Sequence, residues 1–207
     1  MDTTLYNFYD PMCSWCYAFE PVWGKIQEEL AGRIIVRRIL GGLAPDDDAP
    51  MPDEMRQYIK GAWRRIEEMV PGTVFDFSYW DICVPRRSTY PACRAVIAAR
   101  KQGEIFEVAM LHAVQRAYFR QARNPSDHTT HIQLAEELGL DCTQFEIDLS
   151  SRETQLELAA EVEFTGSLNI PGYPCLVLFY KGGYHHIPHD YTMPQPALEV
   201  ISGIIKP

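Results

Sequence analysis

The stretch Asp10-Pro11-Met12-Cys13-Ser14-Trp15-Cys16 decides the reading, because one local pattern ends at it and another begins. Before it, residues 3–9 are rich in Thr, Tyr, Phe and Leu and read as a short strand stopped at Asp10-Pro11. After it, Cys16, Phe19, Trp23, Ile26 and Leu30 recur at spacings of three and four, which predicts a helix with one buried face ending at Gly32. Pro21 lies inside that helix, removes the amide that would bond to the Tyr17 carbonyl, and predicts a kink. A cysteine at a strand-helix junction has chemical consequences. The unpaired amides and positive dipole end of a helix N-terminus favour a thiolate over a thiol, which makes Cys13 the expected nucleophile. Cys16, one turn further in, is placed to attack a mixed disulfide formed on Cys13 and so to resolve it.

Working outward, residues 33–40 form a second strand closed by Gly41-Gly42, so the start of the chain reads β-α-β with parallel strands. Residues 43–169 read as helices. Met55, Ile59, Ala62, Ile66 and Met69 make one apolar stripe, and Ser88 or Thr89 as N-cap with Pro91 in the first turn opens a helix that stops at Gly103. Residues 104–120, 126–138 capped by Gly139, 143–149 and 151–164 complete the block. Strands return at 175–181 and 184–187, joined by a tight turn expected at Gly182-Gly183, and Leu198, Ile201 and Ile205 mark a closing helix. The expected class is α/β, in the order β-α-β then β-β-α. Residues 1–42 and 170–207 form one domain, and 43–169 form a large all-helical insertion packed on the same core.

Composition removes several function classes. The 207 residues are 46% hydrophobic and 23% charged, enough for a buried core and incompatible with intrinsic disorder. Nineteen Lys and Arg against 28 Asp and Glu give a net charge of −9, so nucleic acid is excluded as an expected partner. The longest apolar run, Cys175 to Tyr180, is far below the roughly 18 residues that read as a membrane span. Met1-Asp2-Thr3-Thr4 is acidic and polar, without the features of a signal peptide, and the expected compartment is the cytoplasm. There the six cysteines are expected to stay reduced. Cys13 and Cys16 are the one close pair, Cys83, Cys93, Cys142 and Cys175 are scattered, and the histidines do not complete a metal-ligand set.

The Cys13-Ser14-Trp15-Cys16 motif, Pro21 five residues after the second cysteine, and Gly172-Tyr173-Pro174 at the head of the third strand together resemble the thioredoxin superfamily. The helical insertion resembles that of its DsbA-like branch. The stretch Ser88-Thr89-Tyr90-Pro91-Ala92-Cys93-Arg94-Ala95 is similar to cytoplasmic DsbA-like proteins described as predicted protein-disulfide isomerases, near the FrnE group. More distant likenesses are to 2-hydroxychromene-2-carboxylate isomerase and kappa-class glutathione transferase. The resemblance implies a thioredoxin fold and a thiol/disulfide oxidoreductase of isomerase or reductase type, acting on protein or peptide thiols and disulfides. It implies no bound cofactor, with glutathione as a candidate reductant. By the same resemblance Pro174 is a cis-proline packed on the cysteine pair and Tyr173 faces the substrate, with Ser14 and Trp15 beside them.

Some positions depart from the family pattern. Tyr173 stands where many relatives carry a small or β-branched residue, and Asn7 stands where DsbA has a buried glutamate that moves protons. Asp10 is nearer but sits in the loop, with its role open. Ser14-Trp15 supplies no positive charge between the cysteines, so a couple more reducing than that of DsbA is expected. Two other functions compete. A kappa-type glutathione-dependent transferase or isomerase usually has serine at the nucleophile position and no second cysteine, and Cys16 argues against it. A holdase or peptide-binding module with a vestigial pair would bind clients without needing Cys13.

The remaining residues have structural readings. Cys83, Cys93, Cys142 and Cys175 read as buried thiols, although FrnE-like proteins can carry a second disulfide and Cys83 with Cys93 would be the pair. His185 and His186 point to opposite faces of a strand, cannot share a metal, and with His189 form an exposed edge. Asp46-Asp47-Asp48 is a solvated loop, and Trp63 and Trp80 belong to the core of the insertion.

Overall fold

The computed structural model describes residues 3–205, so Met1 and Asp2 of the polar start lie outside the described residues. Strand β1 (Thr4–Tyr9), helix α1 (Ser14–Leu30) and strand β2 (Ile35–Leu40) follow one another, and β1 and β2 are parallel, with Thr4 opposite Ile35 and Tyr9 opposite Leu40. Strands β3 (Cys175–Tyr180) and β4 (Gly183–Ile187) and helix α9 (Gln195–Ile204) close the chain. The sheet order is β2-β1-β3-β4, with β3 antiparallel to both neighbours and Phe8 opposite Cys175. Alternation along the strands divides the core. Leu5, Leu176 and Leu178 face α1 and α9 through Phe19, Trp23, Ile26 and Ile201, while Phe8, Cys175 and Val177 pack on the opposite face against Phe164 and Leu168.

Between β2 and β3 come α2 (Asp53–Met69), α3 (Tyr79–Ile82), α4 (Tyr90–Lys101), α5 (Glu104–Arg120), α6 (His128–Glu137), α7 (Cys142–Ser150) and α8 (Arg152–Ser167). Alanines at 92, 95, 98 and 99 are fully buried in α4, and these small side chains let α5, α7 and α8 pack closely around it. A second centre is aromatic: Trp63 stacks on Phe75 at 4.8 Å and meets Phe119 edge-on at 5.6 Å. The same apolar cluster contains Tyr9, Met12, Cys13, Cys16 and Leu40, so the helical block and the start of α1 share one core. Arg100 pairs with Glu107, Glu157 and Glu161, and Glu161 also accepts the Leu40 amide at 2.5 Å, which ties α8 to the end of β2. Among the described residues no helix is long and apolar enough to cross a membrane.

Several local expectations change. The tight turn of the hairpin is Lys181-Gly182 and not Gly182-Gly183, because Tyr180 pairs with Gly183 and both turn residues take positive φ, 49° and 83°. Helix α1 spans the expected residues, with Pro21 exposed inside it. Thr89 precedes α4 but makes no side-chain cap, since its hydroxyl is used elsewhere. The short α3 was not expected, and α8 continues to Ser167. His189 is half-buried against the Phe19 ring at 4.9 Å, while His185 and His186 remain exposed.

The helical block also contains a built-in sensitivity to acid. His131 is buried, and its Nε2 donates to the Pro125 carbonyl at 2.8 Å. Burial lowers its pKa to about 4. Below pH 6.5 the unfolded chain therefore takes up a proton that the folded chain refuses, and stability falls until the folded histidine titrates. The expected loss between pH 6.5 and pH 4 is about 3 kcal/mol from this group. Urea unfolding of the wild type and His131→Gln across that range checks it, because the variant should lack this part of the slope.

Candidate active site

Asp10-Pro11-Met12 turns the chain from the end of β1 into α1. The Cys13 amide donates to the Asp10 carbonyl at 3.1 Å, and Cys13 itself is extended, as an N-cap residue must be. Its Sγ accepts the Cys16 amide at 3.3 Å, the place a serine or aspartate oxygen takes in an ordinary cap. The sulfur thus lies at the N-terminus of a 17-residue helix whose first turn holds no acidic residue. Cys16 lies deeper, at 2% exposure against 7% for Cys13. Burial, followed by the neighbouring Cys13 sulfur, pushes the Cys16 thiol well above its usual pKa. The two cysteines thus occupy different environments within one helical turn.

Opposite them, the Tyr173-Pro174 peptide bond is cis, and the Cys13 thiol donates to the Tyr173 carbonyl at 3.5 Å. The Tyr173 ring turns back over Gly41, and its hydroxyl donates to the Gly41 carbonyl at 2.8 Å. A Cβ at Gly41 would overlap that ring, so any larger residue there would have to displace Tyr173. Two larger depressions of about 850 and 740 Å³ lie on the helical block and beside α5. The cavity that holds Cys13 is smaller, about 180 Å³, and its walls include Trp15, Leu43, Met51, Ile59, Tyr118 and Tyr173. Trp15 also packs on Tyr191 at 4.9 Å, and Ser14 lines the mouth. The structure therefore brings Cys13, Ser14, Trp15 and Tyr173 together along one groove, with Cys16 beneath the first of them.

Sequence reasoning did not find the role of Asp10. This carboxylate has no exposure, and it accepts the Met12 amide at 2.8 Å on one oxygen. On the other it accepts the Leu43 amide at 2.8 Å, the Thr89 hydroxyl at 2.6 Å and the Cys93 thiol at 3.7 Å. Burial pushes its pKa up, opposed by the hydrogen bonds from Thr89, Leu43 and Met12. Asp10 thereby fastens the cysteine loop to the segment after β2 and to the start of α4. Thr89 is 79 residues away, and no local pattern signals that pairing. Asn7 is buried with its Oδ1 unpartnered among the described residues.

The other thiols are placed apart. All six cysteines are free; Cys83 donates to the Ala122 carbonyl at 3.1 Å and Cys142 to the Leu140 carbonyl at 3.6 Å. Cys175 lies on the face of the sheet away from α1, 3.7 Å from His186 Nδ1. Trp63 and Trp80 are buried in the core of the helical block. Among the described residues no group of three or more His, Cys, Asp or Glu side chains is arranged to hold a metal.

This chain belongs to the thioredoxin family: residues 6–186 match the family described as Thioredoxin. Its fold is the DsbA-like form, with helices between β2 and β3. The ClpXP adapter protein SpxH of Halalkalibacterium halodurans is 28% identical over 179 residues, covering 84% of this chain and 58% of that protein. The chain thus spans less than two thirds of that relative's length. A suggested protein disulfide isomerase from Nitrosomonas europaea has the same fold at a TM-score of 0.85 and 24% identity, over 98% of this chain and 97% of that one. The cytosolic disulfide reductase DsbM from Pseudomonas aeruginosa matches at a TM-score of 0.77 and 24% identity, over 97% and 98% of the two chains, and its structure is also known with GSH.

Proposed function

We propose that this protein is a cytoplasmic thiol/disulfide oxidoreductase that reduces or isomerises disulfides in protein or peptide substrates. The observation that carries the reading is the Cys13 sulfur, which caps α1 and stands 3.5 Å from the Tyr173 carbonyl beside the cis-proline, with Cys16 buried one turn below. Cys13 thiolate attacks one sulfur of a substrate disulfide. A Cys13-substrate S–S bond forms, the substrate S–S bond breaks, and the departing sulfur takes up a proton from water. Cys16 then gives up its proton and attacks Cys13 Sγ, which forms the Cys13-Cys16 disulfide and frees the second substrate thiol. Two electrons have passed from the cysteine pair to the substrate, and glutathione as external thiol restores the pair.

Other residues take supporting parts. Pro174 follows the Tyr173 carbonyl that faces Cys13, and Ser14, Trp15 and Tyr173 contact the substrate. The uncharged Ser14-Trp15 insert supports a reducing couple over a strongly oxidising one. Cys16 weighs against a glutathione transferase of the kappa kind.

The SpxH relative supports a second reading, a protein-binding adapter in which the groove holds a partner and the cysteines are dispensable. Insulin reduction separates the two. Wild type should reduce insulin when glutathione is supplied, and Cys13→Ser should fall to the uncatalysed rate. Activity unchanged by Cys13→Ser, or absent from the wild type, would overturn the oxidoreductase reading and leave the adapter.

A further inference from the structure

The groove beside Cys13 is largely apolar and aromatic, its polar lining is Ser14, Ser88, Thr89 and the two arginines Arg86 and Arg87, and no Asp or Glu lines it among the described residues. The two arginines are not equivalent. Arg86 is neutralised, since its Nη2 donates to the Ser126 carbonyl at 2.6 Å and to Asp127 at 2.5 Å. Arg87 is half-buried and enters none of the ion pairs among the described residues. In a chain with 28 Asp and Glu, a partly buried guanidinium without a counter-ion is a conspicuous exception. At the Tyr118 phenol of the wall the Arg87 charge opposes the upward push of burial, to which the buried Asp10 adds.

We propose that Arg87 determines specificity by receiving a carboxylate of the disulfide substrate while Cys13 attacks the sulfur, so that the favoured substrates carry a negative charge a few bonds from the scissile disulfide. The proposal rests on the oxidoreductase reading and deepens it. A planar guanidinium at the edge of an apolar slot can hold a carboxylate through two parallel hydrogen bonds. The apolar walls exclude water from that pair and strengthen it. Long-range electrostatics act the other way, because a net charge of −9 repels anionic substrates. A preference for an anionic disulfide would therefore come from this local cation and not from the field of the whole molecule.

The test is a charge series of small disulfides under glutathione-free, single-turnover conditions with the reduced protein. Rates are compared for 3,3'-dithiodipropionate, which is anionic, and 2-hydroxyethyl disulfide, which is neutral. The expected anionic-to-neutral ratio is about fivefold lower in Arg87→Gln than in wild type, with Arg87→Lys between them because charge is kept and the fork is lost. An identical ratio in wild type and Arg87→Gln overturns the proposal, while failure of the wild type to react with either disulfide overturns the oxidoreductase reading beneath it. Glutathione disulfide, and disulfide peptides with Glu or Gln beside the cysteine, then distinguish the source of the carboxylate: the substrate whose rate falls in Arg87→Gln is the one Arg87 receives.

Discussion

Cys16→Ser is expected to accumulate mixed disulfides with client proteins, and Cys13→Ser to accumulate none. The asymmetry follows from depth and distance. Cys13 caps the helix and opens onto the groove, whereas Cys16 is at 2% exposure with its thiol proton held by burial. Replacing the deeper sulfur leaves the first attack intact and removes the second. No other thiol is placed to substitute. Cys175 lies on the far face of the sheet, and the Cys93 thiol is fully buried with its proton directed at Asp10. The Cys13-client bond should therefore persist until an external thiol cleaves it. The measurement is non-reducing electrophoresis followed by mass spectrometry of each variant after incubation with oxidised client protein. Equal trapping by the two variants would remove the mechanism.

Local patterns in the sequence carried the frame. The strand before Asp10, the helix stripe from Cys16 to Leu30 and the hairpin after Pro174 each arise from periodicity and turn chemistry within one element, and the structure has all three. The hairpin turn was misplaced by one residue because Gly-Gly is the more permissive pair, yet strand pairing puts Lys181 into the left-handed region. Thr89 occupies the expected N-cap position of α4 but makes no side-chain cap, for a different reason. A hydroxyl before a helix ordinarily accepts one of the free amides, but a buried carboxylate competes for it more strongly as an acceptor. Contacts between residues far apart in the chain, such as Asp10 with Thr89 or Glu20 with Arg38 and His112, leave no periodic trace. The unpaired state of Arg87 is of the same kind, since it is visible only once every carboxylate has a position.

Asp10→Ala is expected to be the most destabilising single substitution near the cysteines, by about 3 to 5 kcal/mol, because it strands several buried donors at once. Met12 N, Leu43 N and the Thr89 hydroxyl all converge on the Asp10 oxygens at 2.6 to 2.8 Å, in a site without solvent exposure. Each buried donor left without an acceptor costs about 1 to 3 kcal/mol, and partial relaxation keeps the sum below the simple total. Asp10→Asn should recover only part of the loss, since its amide group presents donors to donors on one side. Thr89→Val removes the bond to Asp10 and also the acceptor of the Ala44 amide at 3.1 Å, and should cost about 1 to 3 kcal/mol. Combining Thr89→Val with Asp10→Ala should cost less than the sum of the two, because both remove the Thr89–Asp10 hydrogen bond, and the excess over Asp10→Ala should be the Ala44 contact alone. Urea unfolding of the four variants and the wild type provides the test. Additive effects would mean that Asp10 and Thr89 act independently, and a loss under 1 kcal/mol in Asp10→Ala would mean that the loop, the segment after β2 and α4 are held together by apolar packing instead.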